Sequence, residues 1–442
     1  MNLEERGIKA LPILFFLYAL SLLISMAGME IFSWTIAAIV LSISIYQLIK
    51  HRQTAGEVFL FVDYALLAYL IIVILGALIN AGPSPPGNTA FTIVGTARWV
   101  LLFYLLRLGL HWSFHDNAQY AFNALLTIAG IIGIYAIVQH FTGIDFLRHT
   151  HDAVQFMGNR ADGSGIYRSA GLFSSPMRYG NSFGLLVFYP IAALLLIKHK
   201  SKLFTALMIF SASLLMLSLV TTLVRGVWIG VIAGFIFMSF FSGRRKGVWV
   251  ATGIVLFTLA IGFAVPSIRG RAAAAANNFS LDDSRVQIWR ANILMFKEHP
   301  WIGVGQNQNE VIIADYYKKL GIEGGQIGHA HNTYLQFLSG TGGLGLLTYL
   351  FFIGYFLWIS ARLMHLIPER YEWHRALILG SLGAQMFLHV GGLTEPSFKH
   401  AEVKHMFLFL LAIVATLYCK YRNEQGWLIR RPPNEGPGSH GI

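Results

Sequence analysis

The residues best suited to chemistry lie around a histidine-containing turn. In the run Gly328-His-Ala-His-Asn-Thr-Tyr-Leu-Gln-Phe-Leu-Ser-Gly-Thr-Gly-Gly-Leu-Gly345, two imidazoles, His329 and His331, precede Asn332 and Thr333, either of which can cap a helix. Beyond the cap Tyr334, Leu335 and Leu338 fall on one side, while Gly340, Gly342, Gly343 and Gly345 let another backbone or a lipid chain come close. A helix N-terminus carrying a histidine also favours anions. The chemistry on offer is proton acceptance or hydrogen bonding by His331 beside an anionic group, with His329, Asn332 and Tyr334 as candidate binding residues. The plainer alternative is an interfacial histidine that closes a loop, with glycines that serve only helix packing. His329 and His331 stand two apart on one side of an extended segment, which suits a pair of metal ligands. No acidic or cysteine third ligand stands nearby in the sequence, and no metal site is expected.

Arginines supply complementary charge. Arg225 interrupts an apolar stretch over 219–230, where a charge is costly and by default functional. Gly226 and Gly230 follow it in a GxxxG pattern that packs its helix tightly. An arginine snorkelling to the interface would give the same pattern. Arg285 opens a segment in which Ile288, Trp289, Asn292, Ile293 and Phe296 recur at three- and four-residue steps. That is the pattern of a helix lying on a membrane surface, with Trp289 at the boundary. The Arg285 guanidinium is placed to meet a lipid phosphate or to pair with Asp282. The turn from Glu298 to Gly305 ends that helix. A Gly/Pro-rich element over 168–181 offers Arg168 and Arg178, with serines and aromatic rings, for a sugar or a phosphate; alone, it is also a common re-entrant turn.

The composition says which elements must hold these residues. Of 442 residues 55% are hydrophobic and only 12% charged, against about 25% charged in soluble domains, and mean hydropathy is +0.58. The polar surface of two or three soluble domains is absent. The one cysteine, Cys419, excludes an internal disulfide framework and a four-cysteine metal site. About 20 apolar residues cross the hydrocarbon layer as a helix, and the runs here lack the alternation of barrel strands. They read as twelve spans: 11–27, 31–49, 58–80, 91–110, 120–141, 182–197, 203–223, 227–241, 248–265, 333–360, 376–392 and 405–419. The expected fold class is all-α, a polytopic membrane protein with about 12 transmembrane helices.

With the N-terminus inside, the cytoplasmic ends hold 18 Lys and Arg and the short external turns three. This positive-inside pattern puts both termini in the cytoplasm, and the first helix is expected to stay uncleaved. The chain then divides into helices 1–5 (residues 1–141), an external loop (142–181), helices 6–9 (182–265), a larger external loop with the amphipathic helix (266–332), helices 10–12 (333–420) and a cytoplasmic tail (421–442). Loops this long are usually functional. Together they carry eleven cations against nine acids, read as a site for an external anionic partner or as solvated surface charge. No P-loop and no GxGxxG opening a helix after a strand is present, and neither a cofactor nor a nucleic acid is expected.

Together these elements resemble the O-antigen ligase/Wzy-type polymerase family of bacterial envelope glycosyltransferases. The family's pattern of His, then Asn, Ser or Gln, nine residues, Gly, two residues and a Gly, Thr or Tyr is met by His331, Asn332, Gly342 and Gly345. Arg-x-x-x-Trp followed by His-Pro-x-x-Gly-x-Gly is met by Arg285, Trp289, His299, Pro300, Gly303 and Gly305; Gly-x-Phe-x-x-Pro is met by Gly171, Phe173 and Pro176; the isolated Arg225 fits as well. Met177 departs from the Asn that many relatives carry after the proline, which puts a polar role at that position in doubt. The resemblance covers roughly residues 160–400.

It implies a GT-C-like inner-membrane enzyme with two long periplasmic loops, a periplasmic site and no metal. Its donor would be an O-antigen glycan on undecaprenyl diphosphate and its acceptor lipid A–core, with inner-membrane lipids around it. Arg225 and Arg285 would hold the diphosphate and His331 would serve the acceptor, while Lys318, Lys319, Arg269 and Arg271 are candidates for acceptor phosphates. A Wzy-type polymerase, which uses a second lipid-linked glycan as acceptor, is the alternative within the family. A protein O-oligosaccharyltransferase is a further one. A lipid-linked sugar transporter is the rival from another class, with Asp63 and Arg98 as its mid-membrane charges.

Overall fold

Long apolar runs leave the backbone no partner but itself, and helices result. The computed structural model describes residues 3–51, 58–79, 86–114, 118–147, 154–159, 165–243, 253 and 284–430. Five long helices come first: α1 (Leu3–Ile24), α2 (Met26–His51), α3 (Val62–Ile79), α4 (Pro86–Ser113) and α5 (Ala118–Thr142). A short antiparallel hairpin comes next, β1 (Gln155–Asn159) and β2 (Gly165–Arg168), with Gln155 opposite Arg168. Then come α6 (Pro176–Gly184), α7 (Phe188–Leu196), α8 (Lys202–Thr221) and α9 (Arg225–Phe241). The segment before the histidine turn folds as α10 (Ser284–Glu298), α11 (Gln308–Val311) and α12 (Ile313–Lys319). Three long helices close the fold: α13 (Thr333–Leu366), α14 (Glu372–Gly391) and α15 (Ala401–Arg430).

The protein is an all-α polytopic membrane protein. Among the described residues nine helical stretches are long and apolar enough to cross a bilayer, with α6 and α7 joined as one of them, and α9 is a shorter apolar helix. Every expected span within the described residues falls on a helix; the one over 248–265 lies almost wholly outside them. The 20 residues of α14, about 30 Å at 1.5 Å per residue, are less apolar and buried on nearly every side, packed along α9 and α7. Two ion pairs join neighbouring membrane helices. Arg107, 1% exposed, meets the Asp63 carboxylate, which also accepts from Leu60 N at 2.8 Å. Arg98 meets Glu30. Asp63 and Arg98 are therefore each engaged in a pair between helices.

The segment α10 is the amphipathic helix expected over this stretch, but protein covers part of its apolar face and leaves Ile293 exposed. Ile288, Ala291 and Met295 pack with Val304, Ile313, Tyr316, Tyr317 and Ala330 in a small core of their own. Periodicity shows that one face is buried without saying against what. The α12 segment, with Val304 and Ala330, supplies the cover.

The irregular segments gather at one end of the bundle. The hairpin ties to the α8–α9 turn through Arg168, α10 to the α14–α15 turn through Arg285, and α11 to the same turn through the Glu310–Lys399 ion pair. All nine candidate binding and catalytic residues lie at this end or on the helix ends that open onto it.

Candidate functional site

The site is built from the start of α13. Asn332 is extended (φ −158°) and its Oδ1 accepts from Tyr334 N at 2.9 Å and Leu335 N at 3.0 Å, the N-cap its residue type favours. Its Nδ2 donates to Leu393 O at 3.0 Å, and Thr333 N donates to Gly392 O at 2.7 Å. Thr333 Oγ1 donates to Glu395 O at 3.0 Å. These bonds stitch the helix start to the α14–α15 turn and bring Glu395 under the histidine.

His331 itself sits at φ +48°, a left-handed conformation that a non-glycine residue adopts at a cost of order 1–3 kcal/mol. The turn aims Nδ1 at Glu395 Oε2, 3.2 Å away. The other oxygen, Oε1, accepts from Arg285 Nη2 at 3.1 Å. One buried carboxylate, 5% exposed, thus holds an imidazole 64 residues away in sequence and a guanidinium 110 residues away. A carboxylate only accepts, so the tautomer of the neutral ring that this contact favours carries its proton on Nδ1 and keeps the Nε2 lone pair. Trp289 Nε1 donates to Ala330 O at 3.0 Å and Ala330 N donates to Gln336 Oε1 at 2.9 Å, fixing the segment from both sides. The His329 ring stacks edge-on against His331 with centroids 4.2 Å apart. Burial, with help from His331 and Lys399, pushes the His329 imidazole down to about 4, so it is neutral at physiological pH.

Arg225 is the first residue of α9 and is exposed. A Cβ at its neighbour Gly226 would collide with Thr394 Oγ1, so α9 begins in direct contact with the turn that carries Glu395. Arg285 Nη1 points at Thr394 O of that turn, at 3.5 Å. His331 and Arg285 therefore meet at residues 391–395, and the start of α9, which carries Arg225, packs against the same turn. Arg225 makes no ion pair among the described residues, which leaves its guanidinium open to a ligand.

The glycine-rich start of α13 also finds its partner. At Gly342 (φ +68°) a Cβ would stand 2.5 Å from Ile302 N and nearer still to the Trp301 carbonyl. The backbones there are joined: Val304 N to Ser339 O and Gly305 N to Gly340 O, both 2.9 Å, and Gly343 N to Pro300 O, 2.8 Å. The close approach expected of these glycines is made by the 300–305 turn.

The remaining expected residues have partners within the protein. Arg168 is buried, donating from Nε to Thr222 O at 3.0 Å and from Nη1 to Gln155 Oε1 at 2.8 Å, and so braces the turn before Arg225. Tyr334 Oη donates to His389 O at 2.9 Å. Arg178 pairs with buried Glu402 at 2.9 Å. It also helps burial push His400 down to about 4. Lys318 pairs with Asp315 and Lys319 with Glu298, at 3.3 and 2.6 Å; Arg269, Arg271 and Asp282 lie outside the described residues. Arg285 pairs with Glu395, a residue that sequence reasoning passed over. Its only signal was a lone acid between Thr394 and Pro396 in a short turn weighed for its basic residues. Among the described residues no three His, Cys, Asp or Glu side chains gather as a metal site.

Residues 185–350 match the family model described as O-antigen ligase. The stretch includes Arg225, Arg285 and His331, and the resemblance carried by the motifs is thereby shown. It implies glycosyltransferase-like enzymes working on lipid-linked polysaccharides. No curated protein matches the chain.

Proposed function

We propose, from membership in the O-antigen ligase family, that this protein transfers O-antigen polysaccharide from undecaprenyl diphosphate to lipid A–core on the periplasmic face of the bacterial inner membrane. Glu395 carries the reading: its two oxygens hold, side by side, a histidine fit to take a proton and an arginine fit to hold a phosphate. The reaction is an inverting single displacement. The acceptor hydroxyl oxygen bonds to the anomeric carbon of the first O-antigen sugar as the bond from that carbon to the diphosphate oxygen breaks. The hydroxyl proton passes to His331 Nε2, and undecaprenyl diphosphate leaves with the bonding pair.

Each residue has a stated share. General-base help of this kind contributes roughly 100- to 10,000-fold. Arg225 and Arg285, always protonated and able to meet phosphate oxygens in pairs, neutralise the leaving group without a metal. A guanidinium–phosphate contact near 4 Å contributes about 4 kcal/mol of gross Coulomb energy at an effective dielectric of 20. Only the part that grows as the bond breaks lowers the barrier.

The test is His331→Ala in a strain deleted for the gene. Loss of O-antigen from lipid A–core, with full-length chains retained on the carrier lipid and the variant still inserted in the membrane, is the expected result. Ligation at the wild-type level would remove His331 from the chemistry. A deletion strain whose core carries single repeats would make the enzyme a Wzy-type polymerase instead.

A further inference from the structure

Near the histidine turn lies a cavity to which the proposed reaction assigns no role. It is about 80 Å³ in volume, and its lining includes Trp99 of α4, Thr333 and Gln336 of α13, and Phe398, Lys399 and Lys404 of the α14–α15 turn and the start of α15. That is room for about five waters or one phosphate-sized group with the edge of its sugar. Thr333 stands two residues from His331, so the cavity and the histidine turn share the start of α13.

Its charges are unequal in use. Lys399 is paired with Glu310. Lys404 has no carboxylate or carbonyl partner for its ammonium among the described residues; it lies 5.6 Å from the ring centre of Trp99 and 5.5 Å from that of Phe398. A cation on the first turn of a membrane helix is expensive to keep without a counter-ion, and ring faces compensate only in part. Trp99 and Phe398 meet edge to face, 5.9 Å apart, and offer flat apolar surface to a sugar ring. In the proposed reaction the donor's diphosphate is held by Arg225 and Arg285, at the starts of α9 and α10.

We infer that this cavity binds an anionic substituent of the acceptor sugar, a phosphate or a carboxylate, paired with Lys404 while Trp99 and Phe398 cover the sugar's apolar face. The inference rests on the proposed reading of the site and names the part of it that receives the second substrate.

The experiment uses the full chain in neutral-lipid nanodiscs, with undecaprenyl-diphosphate glycan as donor and purified lipid A–core as acceptor. One charge-assisted contact is worth about 1.5–3 kcal/mol, so Lys404→Met raises the acceptor KM roughly 10- to 150-fold and leaves the donor KM in place. Lys404→Arg, which keeps the charge and controls for folding, restores most of the acceptor affinity. Lipid A–core stripped of phosphate, or separately reduced at its carboxyls, abolishes the difference between wild type and Lys404→Met, and whichever treatment does so identifies the anion. An acceptor KM unmoved by Lys404→Met, a rise in the donor KM instead, or an effect that appears only when anionic phospholipid is added would overturn the assignment. If His331→Ala is inactive in the same assay, such a failure falls on the subsite alone.

Discussion

Replacing Glu395 with glutamine keeps the shape of the side chain and removes its charge, and the site geometry fixes the consequence. In the wild type one oxygen takes the Nδ1 proton of His331 at 3.2 Å and the other meets Arg285 at 3.1 Å. A glutamine has one accepting oxygen and one donating amide nitrogen. With the amide towards Arg285, donor faces donor. With the amide towards His331, it donates to Nδ1 and moves the ring proton to Nε2, the atom that must stay free. Either way base catalysis loses its support, a contribution of roughly 100- to 10,000-fold. At 1.36 kcal/mol per tenfold this is about 2.7–5.4 kcal/mol on the barrier. Stability changes far less, because the Arg285 side chain is 35% exposed and solvent screens the loss of its partner to about 1 kcal/mol or below. The expected outcome in a single-turnover assay with carrier-linked donor and lipid A–core is therefore a fall in kcat of at least about 100-fold with little change in melting temperature. Glu395→Asp keeps the charge but shortens the reach, so it should fall between the two. Transfer by Glu395→Gln within threefold of wild type, with the protein intact, would refute the coupling of His331 to a working carboxylate.

Two further outcomes arise from the same contacts. Gly342→Ala places a Cβ into the Trp301 carbonyl at a residue with φ +68°, so about 2–5 kcal/mol of stability should be lost from overpacking and backbone strain together; an unchanged melting temperature would show that the 300–305 turn is not seated on α13. His329 and His400 are both held near 4 by burial, whereas an unfolded histidine titrates near 6.5. Between those values the unfolded chain binds more protons, so stability is full above about pH 6.5 and declines as pH falls towards 4, by about 1 kcal/mol per histidine at pH 5 after screening. Melting curves at pH 7 and pH 5 should show this decline, and it should shrink in His329→Asn and His400→Asn.

What the sequence disclosed, and what it withheld, divides along the range of the interactions. The Asn332 cap is legible because the N–H groups it accepts from are two and three residues away, and the apolar spans are legible because each is its own continuous run. His331, Arg285 and Arg225 stand out by residue type in an apolar chain. Glu395 does not, since its role exists only once segments 64 and 110 residues distant fold back upon it. The glycines from 340 to 345 announce a close approach but not that residues 300–305 make it. The face of α10 announces burial but not that Tyr316, Tyr317 and Ala330 provide it instead of lipid. Arg168 and Tyr334 look like substrate contacts because polar groups in an external turn look alike from sequence. Only the backbone carbonyls of Thr222 and His389 show that both are already engaged. A residue's type thus limits the chemistry it can perform, while its partner decides whether it performs any. Among the arginines weighed for phosphate, Arg168 and Arg178 are tied into the bundle by carbonyls and a buried acid. Arg285 is tied to the same carboxylate as the histidine, and that shared tether is what makes this turn the candidate site.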